Sequence, residues 1–280
     1  MDHYVNMEML EDFEQILKNE EKSHATIEKY LRDLRRFFVF LGKDTLLTKE
    51  KVIAYKNKLK ETHAASSVNS MLAGLNHFFK EKGWYECVVK NLKVQRPLFR
   101  SSERELTKKE YCRLVEAAKK EGKDRLSLVL QTLASTGIRV SELPFITAEA
   151  LDVGRAKVSL KGKLRTVLLP KELCRKLKFY IKQKKIQNGS IFVTRSGKPL
   201  DRSNIFHEMK ALCEAAGVNR KKVFPHNLRR LFAVTYYHME KDLARLADLL
   251  GHSNINTTRI YIMVNGEEQV KQIELLGLVM

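Results

Sequence analysis

The stretch Thr136-Gly137-Ile138-Arg139-Val140-Ser141-Glu142-Leu143 follows an apolar run, Leu126 to Thr136, that predicts a buried helix. Gly137 is a typical residue to end such a helix, because glycine adopts the left-handed conformation without strain. Arg139 and Glu142 come directly afterwards, three residues apart. They could form an ordinary surface ion pair, or Arg139 could bind an anion at a functional site. The rest of the chain decides between these explanations.

Three further segments carry residues of similar chemistry. Lys161-Gly162-Lys163-Leu164 lies between two β-prone runs and predicts a hairpin turn. His226-Asn227-Leu228-Arg229 follows Pro225, as at the start of a helix. Leu250-Gly251-His252-Ser253 closes an apolar helical face, and Tyr261 follows nine residues after His252.

Together these residue types suit the cleavage of a phosphodiester by a side chain. That reaction needs a nucleophile, stabilisation of a charged phosphorane, and a proton for the leaving oxygen. Arginine suits the phosphorane, because its planar guanidinium binds two phosphate oxygens and stays charged. Histidine and lysine can move the protons. A tyrosine nucleophile would store bond energy in a phosphotyrosyl link, so that resealing needs no ATP.

Each residue also has an ordinary structural interpretation. The two hairpin lysines could be exposed turn residues, and His226 could cap a helix. Arg229 could be a plain phosphate contact, and His252 could make its hydrogen bonds within its own turn. Tyr261 could be a core aromatic, like most of the nine tyrosines. Taken one at a time, none of these residues identifies a function.

The order and spacing of the four segments resemble the tyrosine recombinase family, which includes phage integrases and Xer-type resolvases. The family pattern runs Thr-Gly-x-Arg-x-Ser-Glu-Leu, a hairpin lysine, His-x-Leu-Arg, Leu-Gly-His-Ser, and a tyrosine nine residues after that histidine. Each element has its match in this chain, and 257–261 also resembles the family's approach to the nucleophile. The likeness extends over most of the chain.

The resemblance implies a role for each matched residue. Tyr261 would be the nucleophile that forms a 3′-phosphotyrosyl bond, and Arg139 and Arg229 would clamp the scissile phosphate. His226 and His252 would assist by hydrogen bonding and proton movement, with Lys161 as general acid for the 5′ oxygen. Glu142 would hold the Arg139 side chain in position without contacting the phosphate itself. No metal and no cofactor is expected.

Two departures from the pattern leave questions open. The family hairpin often reads Gly-Lys-Gly-x-Lys-x-Arg, whereas Leu160 to Arg165 is one residue shorter, so Lys163 rivals Lys161 as the general acid. The family often has histidine after the second arginine. Here that residue is Arg230, which is a further candidate phosphate contact.

Composition also indicates a polyanionic partner. Lys and Arg total 52 against 33 acidic residues, which gives a net charge of +19, and the pI is about 9.7. A positive excess of this size most often indicates binding to nucleic acid, although a basic ribosome-associated factor would also carry it.

No apolar run is long enough to span a bilayer, and the N-terminus does not resemble a secretory signal, so we expect a cytoplasmic protein. The four cysteines and eight histidines show no metal-site spacing.

The N-terminal third predicts a bundle of four short helices. Apolar residues recur at helical spacing in four segments, which begin near Leu10, Ile27, Val52 and Val68. The segment that follows contains Pro97 and three arginines that are candidate DNA contacts, Arg96, Arg100 and Arg104. Thr107 and Glu110 then predict a capping box that starts a new helix.

The expected fold is therefore mainly α with a small β-sheet insert. Residues 1–92 would form a helical core-binding domain, 93–105 a linker, and 106–280 an α+β catalytic domain with a C-terminal tail. Ile191-Phe192-Val193 is a candidate extra strand.

The resemblance further implies double-stranded DNA with paired half-sites as substrate, and a homotetramer that exchanges strands through a Holliday junction. The apolar tail that ends at Met280 would pack on its own domain or on a neighbouring protomer. Integration, excision, inversion and dimer resolution all stay open as roles. A catalytically silent DNA-binding protein and a type IB topoisomerase-like enzyme are the alternatives.

Overall fold

The computed structural model describes residues 3–42, 46–94, 102–160, 162–262, 270–271 and 273–278, without the side chains of Ser102, Leu160 and Lys163. The chain divides into two compact units, Met1–Arg96 and Pro97–Met280. Each unit has its own hydrophobic core. None of the helices in the described ranges is long and apolar enough to cross a membrane.

The N-terminal unit contains the four predicted helices. Its elements are β1 (His3–Tyr4), α1 (Met9–Asn19), α2 (His24–Leu41), β2 (Leu46–Leu47), α3 (Lys49–Thr62) and α4 (Ala65–Glu81). The predicted helical bundle is confirmed. The antiparallel pair of β1 and β2 was not predicted, because two residues are too few for a periodic signal.

Large aromatic rings fill the core of this unit. Phe13, Phe37, Phe78 and Phe79 are completely buried. Their ring centroids lie 5.3 Å apart for Phe13 and Phe78 and 6.0 Å apart for Phe37 and Phe79, with the planes nearly perpendicular. This edge-to-face arrangement places the positive ring edge against the negative face of its neighbour. Rings from α1, α2 and α4 therefore pack at the centre of the bundle, among the aliphatic side chains that complete its core.

The C-terminal unit is helical around one β-hairpin. Its elements are α5 (Lys108–Lys120), α6 (Asp124–Thr136), α7 (Ala148–Val153), β3 (Arg155–Leu160), β4 (Lys163–Leu168), α8 (Lys171–Lys184), α9 (Arg202–Ala211), α10 (Pro225–Glu240), α11 (Leu243–Leu250) and α12 (Ile255–Ile262). Short 3-10 turns cover Ser102–Arg104, Val140–Phe145 and Arg220–Lys222.

Several local predictions in this unit are confirmed. Thr107 and Glu110 form the capping box at the start of α5. The predicted hairpin is present, but its register places Leu160 opposite Lys163, so Lys163 and Leu164 belong to β4 and not to the predicted turn. The predicted strand over 191–193 is wrong, because this segment makes only an isolated bridge, between Val193 and Pro199. Its apolar run reflects burial in the core rather than pairing in a sheet.

Candidate active site

Arg229 is buried between the ends of two helices. Helix α6 ends at Gly137 and α11 ends at Gly251, both in the left-handed conformation. The Arg229 guanidinium, which is 2% exposed, donates to the Gly137 carbonyl and to the Leu250 carbonyl, the latter at 2.7 Å. Carbonyls at a helix C-terminus lack partners within the helix and carry its negative dipole end. One guanidinium thus satisfies both helix ends.

Gly137 is required at this point for two reasons. Its φ of +62° is strained for any residue with a side chain. A Cβ there would also lie 2.4 Å from the ring of Phe232 on α10. The predicted helix end is therefore also the place where α10, which carries Arg229, approaches α6.

His252 is held on both ring nitrogens. Arg229 Nη2 donates to His252 Nε2 at 2.8 Å, so the proton of the neutral ring lies on Nδ1, which donates to Thr258 Oγ1 at 2.8 Å. Burial, together with the nearby charges of Arg229 and Arg139, lowers the pKa of His252 to about 4. The ring is therefore neutral at physiological pH.

Tyr261 lies between the two histidines of the site. It is 5% exposed on α12, with ring centroids 5.3 Å from His226 and 5.7 Å from His252. Burial and the charge of Arg139 lower the pKa of Arg229 to about 10, and a hydrogen bond with Tyr261 opposes that change. Arg229 therefore stays protonated at neutral pH and contacts the phenol.

Arg139 occupies a more open position. Its side chain is 44% exposed, and Nη1 donates to Glu142 Oε1 at 3.0 Å. Burial alone would raise the pKa of Glu142, but hydrogen bonds from Arg165 and Arg139 outweigh it and the pKa is lowered. Glu142 is thus an ionised, buried carboxylate that pairs with Arg139, and the Arg139 side chain is still exposed enough to bind an anion.

Arg165 on β4 is a supporting residue that the sequence analysis did not identify. Its Nε and Nη2 donate to Glu142 at 3.2 Å and 2.5 Å, and its Nη1 donates to the Leu249 carbonyl at 2.8 Å. A Cβ on Gly251 would lie 2.5 Å from the Arg165 side chain. Arg165 therefore joins the hairpin strand, the carboxylate behind Arg139 and the turn that carries His252.

A cavity of about 330 Å³ opens beside these residues. Arg139, His226 and Arg229 contribute to its wall, and Arg202 and Phe206 of α9 form another part. The larger cavities of about 560 and 530 Å³ include none of the predicted catalytic residues in their walls. The cavity of about 330 Å³ is therefore the one that lies at the predicted catalytic residues.

The remaining predicted residues lie elsewhere. Arg96, Arg100 and Lys161 are outside the described residues, as is the side chain of Lys163. Arg104 is exposed, and its carbonyl accepts a hydrogen bond from Asn227 at 2.6 Å.

Arg230 differs from its predicted position. It is 6% exposed and forms an ion pair with Glu105. A phosphate contact needs a cation at the surface, so this placement favours a structural role. This pair could not be predicted from local sequence, because its partners are 125 residues apart.

Comparison with known proteins places this site in a family. The model of the phage integrase family matches residues 104–268, and that of the phage integrase N-terminal SAM-like domain matches residues 10–85. The chain belongs to the phage integrase family, as a tyrosine-type site-specific recombinase. The resemblance stated from its sequence motifs is thereby confirmed.

Named relatives cover nearly all of the recombinase. It is 30% identical over 283 residues to tyrosine recombinase XerA of Thermococcus kodakarensis, covering 96% of this chain and 97% of that protein. It is 28% identical to tyrosine recombinase XerA of Pyrococcus furiosus over 277 residues, which is 95% of this chain and 93% of that protein.

Solved structures agree on the fold. The crystal structure of XerA recombinase is 26% identical, with a TM-score of 0.54, and the match covers 98% of this recombinase and 99% of that chain. A lambda integrase (75–356) dimer bound to a COC′ core site matches with a TM-score of 0.75 at 19% identity, over 95% of this recombinase and 97% of that chain. The expected fold, mainly α with a small β insert, is confirmed.

Proposed function

We propose that this recombinase cuts and rejoins duplex DNA through a 3′-phosphotyrosyl bond to Tyr261. The observation that carries the proposal is the environment of that one phenol. The Tyr261 ring lies 5.3 Å from the His226 ring and 5.7 Å from the His252 ring, centroid to centroid, and the phenol is close enough to the buried Arg229 guanidinium to affect its pKa. A core aromatic would need none of these polar neighbours.

The chemistry follows from the groups present. The Tyr261 oxygen attacks the scissile phosphorus, the bond to the 5′ oxygen breaks, and the phosphate stays attached to the tyrosine. Arg139 and Arg229 stabilise the charge on the phosphorane. His226 and His252 assist with hydrogen bonds and movement of the phenol proton.

Glu142 and the hairpin complete the proposed machinery. Glu142 holds Arg139 in place. Lys161, or its rival Lys163, gives the 5′ oxygen its proton. Attack by a 5′ hydroxyl reverses these steps and reseals the strand, so neither ATP nor an external oxidant or reductant takes part.

The substrate proposed here is double-stranded DNA with paired half-sites. The net charge of +19 supports this choice, since phosphate contacts supply much of the affinity of DNA-binding proteins. Residues 1–92 serve as the core-binding domain, 93–105 as the linker and 106–280 as the catalytic domain. Contacts are assigned to Arg96, Arg100, Arg104 and Lys163, whereas buried Arg230 supports the fold. Action on cellular DNA places the protein in the cytoplasm.

The C-terminal tail supports assembly into a homotetramer that passes through a Holliday junction. Ile273, Leu275, Leu276 and Leu278 are each more than half exposed. Apolar side chains left in water forgo roughly 1.5–3 kcal/mol each. This exposure favours docking on a neighbouring protomer over packing on the tail's own domain.

Covalent capture tests the proposal directly. The substrate is a half-site duplex, enriched from a random-sequence pool by binding to the wild-type protein and nicked next to the scissile phosphate so that resealing is blocked. Wild-type protein and Tyr237→Phe should form an adduct that survives denaturing electrophoresis, whereas Tyr261→Phe should form none. An adduct with Tyr261→Phe would overturn the assignment. Binding without any adduct from wild-type protein would favour a silent DNA-binding protein.

A further inference from the structure

The cavity beside Tyr261 is lined by cations and by no carboxylate. Among the described residues that form its wall are Arg139, Arg202, Arg229 and His226, and none is Asp or Glu. Arg139 is already paired with Glu142, and Arg229 is satisfied by two carbonyls and by His252. Arg202 is therefore the guanidinium of this wall that has no hydrogen-bond or ion-pair partner among the described residues.

Arg202 has no partner within its own surroundings. It is exposed at the first position of α9, and no hydrogen bond or ion pair links it to any of the described residues. The neighbouring Asp201 is engaged as the helix cap, where its carboxylate accepts from the Asn204 backbone N–H at 2.7 Å. An unpaired cation on the wall of a cavity without carboxylates attracts an anion.

The same face of α9 continues the pattern along the helix. Phe206, one turn after Arg202, also lines the cavity and is 38% exposed. Lys210, a further turn on, holds its Nζ 5.0 Å from the centre of the Phe206 ring. Residues at this spacing share one side of a helix. A basic, aromatic and basic stripe of this kind suits a sugar–phosphate strand, whose charges alternate with apolar sugar surface.

We propose that Arg202 binds a backbone phosphate next to the scissile one and so fixes the register of the cleaved strand. This inference rests on the proposed function of the cavity. A phosphodiester has one negative charge, which Arg139 and Arg229 already meet. Successive phosphates of one strand lie about 3.4 Å apart along the duplex axis, so a third guanidinium in the wall of the same cavity is a candidate donor to a neighbouring phosphate. Arg202 is thus a positioning residue.

The test replaces single phosphates of the enriched half-site with neutral methylphosphonates, leaving the scissile phosphate intact. All proteins carry Tyr261→Phe, so that no strand is cut and only binding is measured. With Arg202 present, one flanking replacement should weaken binding roughly tenfold, as expected for a charged hydrogen bond. Arg202→Ala should bind unmodified DNA roughly tenfold more weakly. The methylphosphonate at that flanking position should not weaken its binding any further. For Arg202→Ala, the slope of log affinity against log salt concentration should be smaller in magnitude by about one.

Two matched variants make the result decisive. Arg113→Ala removes the same charge from an exposed position on α5 and should keep the full penalty at the flanking phosphate. Arg202→Gln repeats the test with a neutral side chain of similar length, and both Arg202 variants should melt at the parent temperature because the residue is exposed. The proposal is wrong if each methylphosphonate replacement weakens the binding of Arg202→Ala and Arg202→Gln as much as it weakens that of the parent protein. The outcome does not depend on whether Tyr261 forms the covalent bond.

Discussion

In the N-terminal unit Asp33 is the one buried charged residue among those described, whereas the catalytic unit buries Glu142, Arg229 and Arg230. The first core consists of aliphatic side chains and of rings that pack edge to face. The second places charges among helix ends, and each buried charge there has a hydrogen-bonded partner. Removing an ion from water costs several kcal/mol before its partners compensate. Buried Arg230 is explained by its ion pair with Glu105, whereas buried Arg229 has no carboxylate partner within the described ranges and calls for a further explanation in function.

The largest expected effect comes from removing the buried cation of the active site. Arg229→Met keeps most of the side-chain volume but takes away the charge that we propose stabilises the phosphorane. We expect the single-turnover cleavage rate to fall by about 10³, the size seen when one donor to a transition-state oxyanion is lost. Affinity for the half-site should change much less, because the interaction is strongest in the transition state.

The matched change in the other core is Phe79→Ala. It should lower the free energy of unfolding of its unit by about 3–5 kcal/mol, as measured by denaturant titration. Arg229→Met should cost less stability than this, because it also removes the desolvation cost of the charge. If Arg229→Met cuts DNA within tenfold of wild type, or unfolds as readily as Phe79→Ala, the contrast between the two cores fails.

A smaller effect is expected from the supporting contact behind Arg139. Arg165→Met removes two hydrogen bonds to Glu142 and one to the Leu249 carbonyl. Cleavage should slow roughly tenfold, since a buried hydrogen bond to a charged group contributes about 1.5–3 kcal/mol. Single-turnover rates and half-site affinity should be measured side by side.

Arg175→Met is the control for this experiment. Arg175 makes a comparable two-bond contact with Glu172, but both side chains are largely exposed. Exposed pairs of this kind contribute little, so cleavage by this variant should match wild type. Equal rates for the two variants would mean that Arg165 does not position the site.

The smallest effect concerns pH. The folded-state pKa of His252 is about 4, below its ordinary value of 6.5. Between these values the unfolded chain takes up a proton that the folded protein does not, so stability falls as the pH falls through this window. Melting temperatures from pH 7.5 to 4.5 should therefore decline less for His252→Asn than for wild type.

Nuclear magnetic resonance of the imidazole nitrogens measures the protonation state of His252 directly. His252 should keep its Nδ1 proton and stay neutral at pH 6. Titration near pH 6.5 would contradict the buried contact with Arg229.

Local features of the fold could be predicted from the sequence because each is encoded by neighbouring residues. The capping box of Thr107 and Glu110 and the helix ends at Gly137 and Gly251 needed no knowledge of the distant chain. The order of the four motifs was sufficient to predict the family. The false strand at 191–193 arose because a short apolar run does not distinguish a strand from a buried coil.

The contacts that organise the site could not be predicted in this way. Arg165 and Glu142 are 23 residues apart, and their pairing depends on how the hairpin folds back. The burial of Arg230 against Glu105 likewise depends on tertiary packing. Arg202 gave no signal either, since an arginine at the start of a helix is common. Its significance depends on the cavity wall that α9 helps to form.

The most direct test of the central claim is the identity of the residue that carries the DNA. The trapped adduct should be digested with nuclease and trypsin and analysed by mass spectrometry. Cleavage after Arg259 and Lys271 releases residues 260–271, a peptide with Tyr261 as its only tyrosine. We expect a nucleotide mass on that peptide, localised to Tyr261. A nucleotide on the peptide of residues 231–241, which contains Tyr236 and Tyr237, would contradict it.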